Sequence, residues 1–174
     1  PDGQWIAFGV GGFFGARDEQ AAKVMMVRAD GSQSKDVTKG PLNSGFPTFS
    51  PDGRQIAYRV WGNYDRPGDF GIRVMTFADS SVATLTTELD NFPAWSPRGD
   101  LISFTRRSHG EDYDYDIYTM RPDGTNVKRL TDAAGNPVTR VSNLQLQPLK
   151  PDLPLFPVDM ENYGECMSFP ALKE

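Results

Sequence analysis

Residues 46–58 read FPTFSPDGRQIAY, and residues 92–104 read FPAWSPRGDLISF. A third copy opens partway through the phrase at the first residue, as PDGQWIAF. Anchored on the turn prolines Pro1, Pro51 and Pro97, the copies lie 50 and 46 residues apart. Five residues after each proline stands an isoleucine (Ile6, Ile56, Ile102). A small residue follows (Ala7, Ala57, Ser103), then an aromatic one (Phe8, Tyr58, Phe104). A second block keeps its own spacing: KVMMVRADG at 23–31, GIRVMTFAD at 71–79 and DIYTMRPDG at 116–124. Its columns include Val24, Ile72, Ile117 and Val27, Met75, Met120, and each copy leads to a threonine at 38, 86 and 131. Self-similarity at this period marks a repeat architecture, in which each unit buries its apolar face only against a neighbour.

The segments of one unit read as strands. IAY, ISF, VMMV, IYTM and TLT are short and rich in β-branched and aromatic residues, and turn residues bound them. Pro-Asp-Gly is hairpin chemistry: Pro presets φ, Asp bonds the following backbone, and Gly accepts positive φ. Ala-Asp-Gly at 29–31 and Pro-Asp-Gly at 122–124 do the same between the third and fourth segments. Four antiparallel strands in a meander make one blade of a β-propeller. The expected fold is all-β: a partial β-propeller of about three four-stranded antiparallel blades with an irregular Pro-rich C-terminal arm.

The blades are expected within 1–147, as repeats at about 1–45, 46–91 and 92–136. NPVTRVS, within 136–147, stands where a further innermost strand would begin and is a candidate closing strand. Five prolines between 148 and 174 break any strand there, so 148–174 is expected to be the arm. Propellers normally have four to eight blades, so three leave two flanks open. The chain is then a fragment of a longer propeller, or half of a homodimer completing a six-bladed ring, or it ends in a degenerate fourth blade.

The composition excludes several classes. The net charge of −5 argues against a nonspecific nucleic-acid binder, which carries a basic face. No run of 18 apolar residues is present to span a membrane as a helix; no basic-then-apolar leader opens the chain, but it starts inside a repeat unit at Pro1, so that absence excludes nothing. Cys166 is the only cysteine, so no internal disulfide forms, and it has no histidine beside it to activate a thiolate. His109 is the only histidine, which leaves a catalytic triad or a histidine metal site without partners. GVGGFFG at 9–15 lacks the Lys-Ser/Thr of a phosphate loop and reads as an inter-strand loop. No catalytic constellation is legible, and no cofactor is expected.

Two surface features remain. In HGEDYDYDIY (109–118), Asp112, Asp114 and Asp116 alternate, so an extended chain turns all three to one side. Asp112 and Asp114 are weak candidates for Ca²⁺, which wants oxygen ligands, although the EF-hand spacing is absent. The long loops between second and third segments are expected to emerge on one face of the disc. They carry Trp61, Tyr64, Arg66, Phe70, Arg107, Tyr113 and Tyr115. Trp, Tyr and Arg on one exposed face is the composition of a recognition surface.

The phrase aromatic-Pro-x-aromatic-Ser-Pro-Asp-Gly, then Ile-Ala-Phe, then Asp-Ile-Tyr-x-Met-x-x-Asp-Gly and Leu-Thr resembles the TolB-like, or WD40-like (PD40), β-propeller repeat. The resemblance covers 1–131, and SPRGDLISF…DIYTMRPDGTNVKRLT is its best copy. It implies a structural hydrogen bond for Asp116 and a non-catalytic binding or scaffold module. Such a module recognises a protein, or a carbohydrate, through its long-loop face. Family propellers also gate serine peptidases, so the alternative is the propeller portion of a peptidase or other hydrolase whose catalytic domain lies outside this chain. The resemblance further implies a periplasmic or secreted location.

Overall fold

The computed structural model describes residues 1–11, 22–62, 66, 68–107 and 115–131, all within one unit, Pro1–Arg140. The closing-strand candidate and the 148–174 arm lie outside the described residues. Eleven strands are present among those described: β1 (Trp5–Val10), β2 (Lys23–Arg28), β3 (Ser34–Asp36), β4 (Asn43–Phe49), β5 (Gln55–Trp61), β6 (Gly71–Thr76), β7 (Val82–Thr84), β8 (Asp90–Trp95), β9 (Ile102–Arg107), β10 (Tyr115–Met120) and β11 (Lys128–Arg129). They form three antiparallel meanders, β1-β2-β3, β4-β5-β6-β7 and β8-β9-β10-β11. These are the expected blades. The second and third have four strands, and the first has the three outer ones.

The turns hold for the reasons the sequence suggests. In the second blade the Ser50 hydroxyl donates to Asp52 Oδ1 (2.6 Å), and Asp52 accepts the N–H of Arg54 (3.1 Å). Gly53 takes φ 69°, a left-handed value that costs glycine nothing. The third blade writes the turn as Pro-Arg-Gly-Asp, and the carboxylate moves with the sequence: Ser96 donates to Asp100 Oδ1 (2.7 Å). The serine keeps an acidic partner in either order. At the outer turns, Asp30, Asp79 and Asp123 accept the N–H two residues on.

The recurring threonine also has a physical reason. Thr38, Thr86 and Thr131 each accept, through Oγ1, the first free N–H of the third strand: Val24 (3.0 Å), Ile72 (3.0 Å) and Ile117 (2.9 Å). A short outer strand leaves that N–H without a ladder partner, and the hydroxyl supplies one. Beside Thr86 the chain comes so close that a Cβ on Gly71 would stand 2.0 Å from the Thr86 carbonyl oxygen. Gly71 also has φ 112°, so only glycine fits there.

Among the described residues two clusters make the core, and each lies between blades. Val24 and Met26 of the first blade pack with Ile56, Tyr58, Val60 and Met75 of the second. Ala57, Ile72 and Val74 of the second pack with Ile102, Phe104 and Met120 of the third. Alternate residues of each strand therefore face opposite neighbours, as the two-residue period of a strand requires. The recurring columns are the two faces of a blade.

Candidate functional site: an aromatic and cationic end of the blades

The β1–β2, β5–β6 and β9–β10 connections leave from one end of their sheets. The links into β4 and β8 run past the same end, where Ala22 N–H donates to Asn43 Oδ1 (2.8 Å) and Arg107 N–H donates to Leu89 O (3.2 Å). In β4 and β8 the pairing to the next strand slips between Gly45 and Thr48 and between Asn91 and Ala94. Pro47 and Pro93 stand inside these bulges. A proline has no N–H for a ladder, and a bulge lets the strand carry it. The residue before each proline is a phenylalanine in the left-handed region, Phe46 at φ 53° and Phe92 at φ 51°. That conformation is strained for a bulky side chain, and here it recurs in two blades.

The bulges bring rings together. Phe46 meets Phe92 edge-to-face at 4.8 Å and Trp61 at 6.3 Å. The Arg59 guanidinium lies 4.8 Å from the Trp61 ring centroid and 6.0 Å from that of Phe46. Phe92 is 57% exposed. Beneath this group the inner strand is pinned by charge. Asp90 is fully buried and takes a two-point bond from Arg106, at 2.7 and 2.8 Å. The Arg106 guanidinium stacks over Phe104 and Tyr118 at 5.4 and 5.1 Å. Donating to the Asp90 carboxylate raises the pKa of Arg106 above the ordinary guanidinium value.

The sequence-predicted site residues separate into groups. Trp61 is half-buried in the aromatic group, Arg66 is exposed, and Arg107 is half-buried at the end of β9. Phe70 is 6% exposed, so its ring is packing and not recognition surface. Tyr115 is exposed, but it stands two residues before Ile117 on the same side of β10. It therefore belongs to the flank of the third blade. Phe70 and Tyr115 hold a repeat column with Ala22, at the same spacings of 48 and 45 residues as the second block. Tyr64, Tyr113, Asp112 and Asp114 lie outside the described residues. Among the described residues no three His, Cys, Asp or Glu side chains cluster so as to hold a metal. Asp116 is structural: it is 2% exposed, accepts the Thr131 hydroxyl (3.0 Å) and pairs with Arg129 (2.7 Å). Phe46, Arg59 and Phe92 were not among the expected site residues. The signal was present, since an aromatic residue precedes the strand proline in both complete copies.

No family model matches the chain. A TolB homolog of Chlorobium luteolum is 33% identical over 109 residues, which is 61% of this chain and 23% of that protein. A TolB homolog of Chlorobaculum tepidum is 32% identical over 135 residues, 76% of this chain and 29% of that protein. The chain thus spans less than a third of the length of either relative. Among solved structures, a putative TolB from Agrobacterium tumefaciens superposes with a TM-score of 0.59 at 28% identity, over 74% of this chain and 45% of that one. Among the described residues no helix is long and apolar enough to cross a membrane. By repeat columns, by sequence and by fold, the chain carries three blades of a TolB-like β-propeller.

Proposed function

We propose that this chain is a non-catalytic binding module that recognises a protein partner through the end of the blades bearing Phe46, Arg59, Trp61 and Phe92. The observation that carries the reading is the pair of left-handed phenylalanines. Two blades keep a strained backbone that holds rings at an exposed inner edge beside a tryptophan and an arginine. Interface anchors are enriched in Trp, Tyr and Arg, and rigid aromatics give contact area at low entropic cost. Arg66 and Arg107 would extend the same end, and Tyr64 and Tyr113 are proposed to join them. The likeness to proteins named TolB supports a binding role over catalysis and, with it, a periplasmic or secreted location. A carbohydrate partner is the second ligand class for the same surface.

The test is W61A with F92A, compared with wild type. Both variants' folding is checked by circular dichroism and urea unfolding, and partner capture is measured by cross-linking from a bacterial periplasmic extract. The expected result is loss of the specifically captured protein with folding retained. Unchanged capture with unchanged folding removes this end of the blades from the function.

A further inference from the structure

A cavity of about 320 Å³ opens between the first and second blades, at the end that carries the Pro-Asp-Gly turns. The rings of Trp5, Phe49 and Phe77 line it, together with Lys35, Asp2 and Asp52. Pro1 and Gly53 close one side, where a Cβ on Gly53 would stand 3.8 Å from the Pro1 ring. The same approach recurs between Gly99 and the Pro51 ring (3.6 Å), at an interface where the chain runs on through Ser50. That wall therefore belongs to the repeat, and the cavity lies between two blades of this chain. The rest of the lining does not belong to the repeat. One interface further on, the positions of Trp5, Lys35, Phe77 and Asp52 hold Gln55, Ala83, Pro122 and Arg98. Blades pack there without the set, so framework packing does not call for it.

The lining is mixed in a way that narrows the ligand. Lys35 is exposed, and its ammonium lies 4.8 Å from the Trp5 ring centroid and 5.9 Å from that of Phe77. The Arg28 guanidinium approaches the same indole at 5.2 Å, and Phe77 lies 6.1 Å from Phe49. Asp52 and Asp2 hold their turns through Oδ1, which accepts the Arg54 N–H in one (3.1 Å) and the Gln4 N–H in the other (3.0 Å). A carboxylate has a second oxygen with which to accept from a ligand. An anion would meet two carboxylates here, and a cation would meet Lys35 and Arg28. A hydrocarbon would take water from these groups without replacing its hydrogen bonds. A neutral pyranose suits every part: its C–H face packs on rings, and its hydroxyls both donate and accept. We propose that this cavity binds a neutral mono- or disaccharide. Trp5 and Phe77 are its platform, Lys35 donates to its oxygens, and Asp2 and Asp52 accept from its hydroxyls. The volume stands at the small end of ligand cavities, which begin at about 300 Å³. The site shares no residue with the end that carries Phe46, Arg59, Trp61 and Phe92, so it stands or falls apart from the partner-binding reading.

The test is saturation-transfer NMR on the full 174-residue chain with methyl glucoside, N-acetylglucosamine and cellobiose. Sodium benzoate and choline serve as charged probes. The expected result is transfer to the C–H protons of at least one saccharide, with a Kd of about 1–10 mM, and none to the charged probes. W5A and K35A are expected to weaken that binding about fivefold or more, and W61A to leave it unchanged. Circular dichroism checks the fold of each variant. Lys35 is exposed, so K35A remains the readout if W5A fails to fold. Absence of transfer to all three saccharides overturns the inference. So does stronger transfer to benzoate or choline, or saccharide binding that K35A leaves unchanged.

Discussion

Ile102 and Ile6 occupy one column of one repeat, have the same side chain, and end in opposite surroundings. Ile102 is fully buried against the second blade, while Ile6 is half open on the flank of the first. Ile72 and Ile117 repeat the contrast from the other side of the sheet. The column pattern specifies which side of a blade is apolar, and the neighbouring blade makes that side a core. Stability in such a fold is a sum of blade and interface terms. The inner interfaces of this chain and its outer flanks are the two settings of the second term.

The comparison is broken most forcefully at Ile102. Ile102→Ala should cost about 3 kcal/mol in urea unfolding, whereas Ile6→Ala, at a half-open position, should cost under about 1 kcal/mol. Equal costs would mean that the blades do not depend on their neighbours. Next comes charge. Asp90→Asn leaves Arg106 without its anion beneath a buried inner strand and should cost about 2–3 kcal/mol, less than a wholly buried pair because Arg106 is partly exposed. Asp36→Asn breaks the Lys23–Asp36 pair, 2.9 Å long but about two-fifths exposed on both sides, and should cost about 0.5 kcal/mol or less. The hydroxyl cap lies between these. Thr86→Val strands the Ile72 N–H and should cost about 1–2 kcal/mol by the same measurement.

The smallest effect belongs to the turns. Hydroxyls of Ser32, Ser50, Ser96 and Thr125 hold Asp30, Asp52, Asp100 and Asp123 below the ordinary carboxylate range, and the Ser81 N–H does the same for Asp79. A folded pKa below the unfolded one gives stability that is present above the unfolded value, about 3.9, and is lost as pH falls through the folded value. Thermal midpoints should therefore be flat in this contribution near neutrality and decline below about pH 4. The double variant D52N/D100N should show a shallower acid decline. An acid profile identical to wild type would show that the turn bonds contribute nothing measurable.

Much of this was legible in the sequence because a repeat reports on itself. Blade strands and the capping threonines stand in columns, and each of these columns proved to be one structural job. The carboxylate that moves from Asp52 to Asp100 was less visible, since a column comparison reads Asp against Arg at the turn and misses the serine bond that recurs in both blades. Phe70 was misplaced for a related reason. Its column, Ala22–Phe70–Tyr115, varies in size and polarity, so the repeat hid behind the variation, and an aromatic beside a long loop was read as surface. Phe46 and Phe92 were legible as residues but not as geometry. Nothing in an aromatic-proline pair tells whether the preceding residue is extended or left-handed. The bulge that decides it depends on pairing with the next strand.

The account rests most on the claim that recurring columns are cross-blade contacts, and a double-mutant cycle tests that directly. Ile72→Ala, Ile102→Ala and the double variant are compared in urea unfolding, beside the same cycle on Ile6 and Ile117. The account predicts a coupling of about 0.5 kcal/mol or more for Ile72 with Ile102, and additivity for Ile6 with Ile117. Additivity at Ile72 and Ile102 would contradict it.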